Sequence, residues 1–144
     1  MKKLSIALLG LITMGNAFAL ELNNTQWSTI DDETGKAKAL IEFKKQANGT
    51  YSATIKKLLD PNANKICTKC TGAQKDKPME GLTVVQNLKA ESSSKFDGGT
   101  ILDPKSGKSY KMKAEVTPDG KKLQVRGYIG VAALGRNQTW TRQN

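Results

Sequence analysis

Tyr110-Lys111-Met112-Lys113-Ala114-Glu115-Val116-Thr117-Pro118-Asp119-Gly120-Lys121-Lys122-Leu123-Gln124-Val125-Arg126-Gly127-Tyr128-Ile129 reads as two strands about a turn. In the first seven residues, Tyr110, Met112, Ala114 and Val116 alternate with Lys111, Lys113 and Glu115. An apolar residue at every second place is the pattern of a strand with one buried face. Thr117-Pro118-Asp119-Gly120 then reads as a tight turn, because proline presets φ and glycine accepts the left-handed conformation. Leu123, Val125 and Ile129 follow, alternating with Gln124, Arg126 and Tyr128. Gly127 falls on the apolar face, where a glycine marks a bend or bulge. Two such runs about a tight turn make an antiparallel hairpin.

The same grammar extends in both directions. Ala37, Ala39, Ile41 and Phe43 alternate with Lys36, Lys38, Glu42 and Lys44. After Asn48-Gly49, a hairpin dipeptide, Tyr51, Ala53 and Ile55 alternate with Ser52, Thr54 and Lys56. Asp103-Pro104-Lys105-Ser106-Gly107 is a further turn. The reading predicts about eight strands, near 25–30, 36–45, 50–58, 82–88, 95–102, 108–116, 121–129 and 137–143. The segment 82–88 also admits a short helix. The fold class is all-β, an up-and-down antiparallel meander whose closure into a barrel would remove exposed edges. The connection over 59–81 is long for a hairpin, which marks it for function or disorder.

The N-terminus carries an export pattern. Met1-Lys2-Lys3 is a positive start, Leu4 to Met14 is mostly apolar, and Ala17-Phe18-Ala19 is an A-x-A cleavage signal. The apolar run falls short of the roughly 20 residues of a membrane-spanning helix. Residues 1–19 therefore read as a signal peptide, cut after Ala19, and residues 20–144 as one β-barrel domain in the periplasm or outside the cell. Loss of Lys2 and Lys3 lowers the net charge by two from +10. The basic residues are scattered rather than concentrated with stacking aromatics, so the chain does not read as a nucleic-acid binder. An anionic envelope surface is the partner such a charge would favour.

Little in the sequence points to catalysis. There is no histidine, which removes Ser-His-Asp and Cys-His nucleophile systems. No catalytic constellation, cofactor motif or metal set is predicted. Asp31, Asp32 and Glu33 read as solvated acids of a turn before Gly35, and Asp97-Gly98-Gly99 as backbone geometry. Cys67-Thr68-Lys69-Cys70 has three readings. An oxidising compartment favours a structural disulfide. A redox pair would draw on nearby lysines but lacks a helix to stabilise the thiolate. A zinc site wants four ligands and finds two cysteines.

Trp27 falls on the first predicted strand and Trp140 on the last, with Arg142 two residues beyond. In a closed barrel these strands are neighbours, and Trp27, Trp140 and Arg142 would close one end by packing and cation–π attraction.

Several strings resemble a family of exported bacterial proteins known as domain of unknown function 2147. They are Trp27 to Lys36, the Cys67/Cys70 pair with Lys75-Asp76-Lys77-Pro78, and Asp97-Gly98-Gly99-Thr100-Ile101-Leu102-Asp103-Pro104. Leu123 to Gly130 and Thr139-Trp140-Thr141-Arg142 continue the resemblance, which covers about 25 to 142. It implies a small lipocalin-like β-barrel in the periplasm or outside the cell, and it carries over no catalytic residue. Lipocalins open with Gly-x-Trp, whereas here Thr25 precedes Gln26-Trp27.

The leading expectation is a barrel that holds a small apolar or lipid-like molecule. Small residues on the inner faces, Ala37, Ala39, Ala53, Ala114 and Gly127, would leave room for it. The candidate lining is Ile41, Phe43, Tyr51, Ile55, Tyr110, Met112 and Leu123. A filled barrel with a partner-binding surface on its basic face and 59–81 loop is the alternative, since eight strands can be filled by side chains alone. A thiol-redox protein using Cys67 and Cys70 is the third.

Overall fold

A computed structural model describes residues 21–144 together with Gly10; the expected leader, Gly10 apart, and its expected cut after Ala19 lie outside these residues. Eight strands follow one another: β1 (Gln26–Ile30), β2 (Ala37–Lys45), β3 (Tyr51–Leu58), β4 (Thr83–Ala90), β5 (Lys95–Asp103), β6 (Lys108–Val116), β7 (Lys122–Tyr128) and β8 (Arg136–Arg142). Each pairs with its sequence neighbour and β8 returns to β1, so the sheet closes into a barrel. All pairs are antiparallel, as for β6 and β7, where Met112 faces Gly127 and Ala114 faces Val125.

The alternation that predicts the strands also sorts their faces. In β6, Met112, Ala114 and Val116 are buried while Lys111 and Glu115 are exposed. The outward positions are thus lysines and other polar groups, the reverse of a barrel wall facing lipid. Among the described residues no helix is long and apolar enough to cross a membrane. Ala39, Ala53 and Ala114 are buried inside, whereas Ala37 sits exposed at the strand end.

Segment 82–88 is a strand rather than a helix, and β4 shows why its pattern is ambiguous. Val84 and Val85 are both buried although adjacent, Asn87 takes a positive φ of 58°, and the pairing with β3 shifts register twice. Such irregularities break the two-residue period.

An up-and-down order places alternate connections at opposite ends. At one end lie the N-terminal segment and the β2–β3, β4–β5 and β6–β7 turns. This end is packed solid: Leu22, Trp27, Phe43, Leu88, Phe96 and Leu123 are all buried to within 2% exposure. Tyr51 meets Phe96 edge to face, with ring centroids 5.8 Å apart, a favoured aromatic geometry. The other end carries the β1–β2, β3–β4, β5–β6 and β7–β8 connections, and it is open.

The seam between β1 and β8 is short, with Trp27 facing Arg142 and Ser28 facing Thr141. Side chains reinforce it. The Arg142 guanidinium lies 5.9 Å from the centre of the Trp27 ring. The Trp27 indole N–H donates to Thr25 Oγ1 at 2.8 Å, and the Thr25 hydroxyl donates in turn to the Leu22 carbonyl. Thr25 therefore satisfies a buried indole and pins the N-terminal segment under the barrel. Trp140 sits one layer higher, opposite Leu123.

Candidate functional site

The open end leads into a cavity of about 510 Å³, within the roughly 300–1,000 Å³ of small-molecule sites. Its depth is apolar. Ile41, Ile55, Val84, Ile101, Val125 and Trp140 line it, contributed by β2, β3, β4, β5, β7 and β8 in turn. Gly127 forms part of the wall. A Cβ there would stand 3.7 Å from Tyr110 Cβ and 3.8 Å from Ile101 Cγ2, so any larger side chain would project into the space that glycine leaves open. The predicted lining divides by depth. Ile41, Ile55 and Tyr110 line the cavity. Phe43, Tyr51, Met112 and Leu123 lie in the buried core, and the lining does not include them.

Polar groups ring the mouth. The Trp140 indole N–H donates to Gln138 Oε1 at 2.8 Å, and the Gln138 amide donates to Asp32 Oδ1 at 2.8 Å. Arg136 donates to the other oxygen of Asp32 at 3.2 Å. On the opposite side of Asp32, Lys105 Nζ lies 3.3 Å from Glu33 Oε2 and 3.8 Å from Asp31 Oδ2. Lys38 reaches Asp103 at 3.8 Å.

These pairs join distant parts of the chain. In an eight-strand order the β1–β2 and β5–β6 corners stand half a barrel apart, so Lys105 with Asp31 and Glu33, and Lys38 with Asp103, form a charged strap across the mouth. The turn behind the strap is built for it. Asp31 Oδ1 accepts the backbone N–H groups of Glu33 and Thr34 at 2.9 and 3.0 Å. The Thr34 N–H is the main reason that the Asp31 carboxyl ionises below its ordinary range, with partial desolvation opposing and Lys105 adding to the effect. The Glu33 carboxylate, by hydrogen bond and charge, raises the Lys105 ammonium above its ordinary range. Asp31, Asp32 and Glu33 therefore do more than solvate a turn. Their partners are distant in sequence, so no local pattern announces the strap.

Cys67 and Cys70 form a disulfide, and both residues are buried. The β3–β4 connection that carries it folds back on the β5–β6 turn. Cys67 Sγ lies 3.7 Å from the Pro104 carbonyl oxygen, and Gly107 passes so close to the Lys69 carbonyl that no side chain would fit there. Burial of both sulfurs shields the bond from an attacking thiolate, since exchange needs access. Among the described residues no three His, Cys, Asp or Glu side chains gather as metal ligands. Asp97-Gly98-Gly99 serves the sheet: the register slips between Phe96 and Gly99, and Gly99 packs directly on Leu88.

A closed eight-stranded meander with one packed end and one open, strapped end defines a lipocalin-like calyx. One solved structure with this architecture is described as "Protein HP1028 from the human pathogen Helicobacter pylori belongs to the lipocalin family". It matches with a TM-score of 0.74 at 20% sequence identity, over 86% of this chain and 84% of that one. At that identity the likeness is one of fold. No curated protein matches the chain. The chain belongs to the family described as "Uncharacterized protein conserved in bacteria (DUF2147)", which it matches over residues 25–142.

Proposed function

We propose that this protein is an exported bacterial carrier that holds one small apolar or amphipathic molecule inside the barrel. The observation that carries the reading is the cavity itself. Its depth is apolar, its mouth is polar, and a glycine occupies a wall position where a side chain would fill it. An apolar chain would bury itself against Ile41, Ile55, Val125 and Trp140, with any polar head left among the charged groups of the rim. Burial of that kind stabilises a complex by roughly 25 cal/mol per Å² of apolar surface before the costs of ordering. The role is binding rather than catalysis.

Export is supported by the positive, apolar and A-x-A segments of residues 1–19, and by a buried disulfide that suits an oxidising compartment. Titration with an environment-sensitive naphthylamine dye tests the binding. The expected outcome is saturable fluorescence enhancement at one dye per chain, displaced by a fatty acid. A linear, non-saturable response overturns the reading.

A further inference from the structure

The strap divides the mouth. On one side the β3–β4 connection leans against the β5–β6 turn, and among the described residues none of its side chains lines the cavity. On the other side stands the β7–β8 connection, residues 129–135, whose Ile129 and Leu134 do line it. This connection carries three large aliphatic side chains in water: Ile129 is 67%, Val131 60% and Leu134 79% exposed. They are not loose. Arg126 donates to the Ala132 carbonyl and to Asn137 Oδ1, and the Leu134 N–H donates to the Val131 carbonyl at 3.1 Å. A braced loop that holds aliphatic groups outward at a cavity mouth is suited to insertion.

The surroundings specify what. Lys111 stands opposite Tyr128 on the neighbouring strand, and Lys108 lies three residues nearer the mouth. Both are exposed. Among the described residues no carboxylate reaches ion-pair distance of either, whereas the cations at the mouth are engaged, Lys105 by both Asp31 and Glu33 and Arg136 by Asp32. The lip is therefore apolar at its tip and carries uncompensated positive charge on its flank. Apolar tips sink into the acyl boundary while flanking lysines meet anionic head groups.

We infer that the lip formed by Ile129, Val131 and Leu134, with Lys108 and Lys111 beside it, docks the open end of the barrel on an anionic lipid surface. The cavity then faces the bilayer, and an apolar ligand passes between the two without crossing bulk water. Docking goes beyond ligand binding and stands or falls separately from it.

The test uses Val131, Lys108 and Lys111, none of which lines the cavity. A Val131→Trp reporter in the full-length secreted protein is mixed with phosphatidylcholine vesicles, with or without phosphatidylglycerol. The expected result is a blue-shifted emission, quenched by brominated lipid, with anionic vesicles only. Lys108→Glu with Lys111→Glu in the same background should weaken that association by about tenfold or more. Val131→Asp, followed by co-sedimentation, should weaken it likewise. Dye binding measured without vesicles should be unchanged in all of these variants, which separates a failure of docking from a failure of the cavity. Equal association with both vesicle types, or none, overturns the inference. So does a blue shift that appears on concentrating the protein alone, which would assign the lip to a second copy of the chain.

Discussion

Thr25 shows how a single side chain can hold one end of a barrel. Its hydroxyl accepts the buried Trp27 indole N–H and donates to the Leu22 carbonyl, so it links strand, aromatic floor and N-terminal segment. Thr25→Val keeps the shape but leaves the indole without an acceptor. The expected loss of unfolding free energy is about 1–3 kcal/mol, read by urea denaturation. Gly127 acts at the other end. Its wall position has ordinary contact distances for a Cβ, so Gly127→Val should fold with an unchanged melting temperature. The added methyls enter the cavity, and one methylene-sized change in an apolar pocket alters affinity by roughly tenfold or more. Dye titration of the variant should show that loss; full affinity would mean the ligand sits elsewhere.

Among the elements, the strap and the disulfide-bearing connection make separate predictions. Lys105→Ala cuts the link from the β5–β6 turn to Asp31 and Glu33. The expected outcome is several-fold faster dye exchange by stopped flow, with little change in melting temperature, because exposed ion pairs add little to stability. High salt should mimic it by screening. The pH dependence follows from two opposite displacements. Asp31 is depressed below 3.8, so its contribution is present above that value and is lost as pH falls through the lower, folded one. Lys105 is raised above 10.5, so its contribution is present below that value and fades only as pH climbs through the higher one. Exchange should therefore stay slow through neutral pH and quicken under strong acid. Cys67→Ser with Cys70→Ser frees a short loop. About 2 kcal/mol of stability should go, in line with so small a ring; loss of ligand binding with stability intact would contradict a structural role.

Elements also mark the limit of what the sequence discloses. Period-two alternation places the strands because each presents one face to a common core. It falters at β4, where two adjacent valines are buried and Asn87 bends the chain. Alternation says which face is inward but not how deep along the barrel a residue lies. Ile41 and Phe43 share one face, yet only Ile41 reaches the cavity. Depth depends on register and on the plug supplied by Leu22, which no local pattern reveals. The strap is hidden for the same reason, since Asp31 and Lys105 meet only once the barrel has closed.

At the scale of the whole molecule, the barrel is neither wholly filled nor wholly hollow. Aromatic and aliphatic side chains pack one half, and a space of about 510 Å³, apolar in its depth and polar at its mouth, occupies the other. That asymmetry gives the molecule a floor, a mouth and a lip. Export is the remaining expectation at this scale: N-terminal sequencing of the protein from the periplasm should begin at Leu20. Whether the cavity carries a cargo can be read by gentle mass spectrometry of the protein isolated from its own cells. One small apolar molecule per chain is expected, released by organic solvent and depleted in Gly127→Val. A bare polypeptide, with no added mass under any gentle condition, would contradict it.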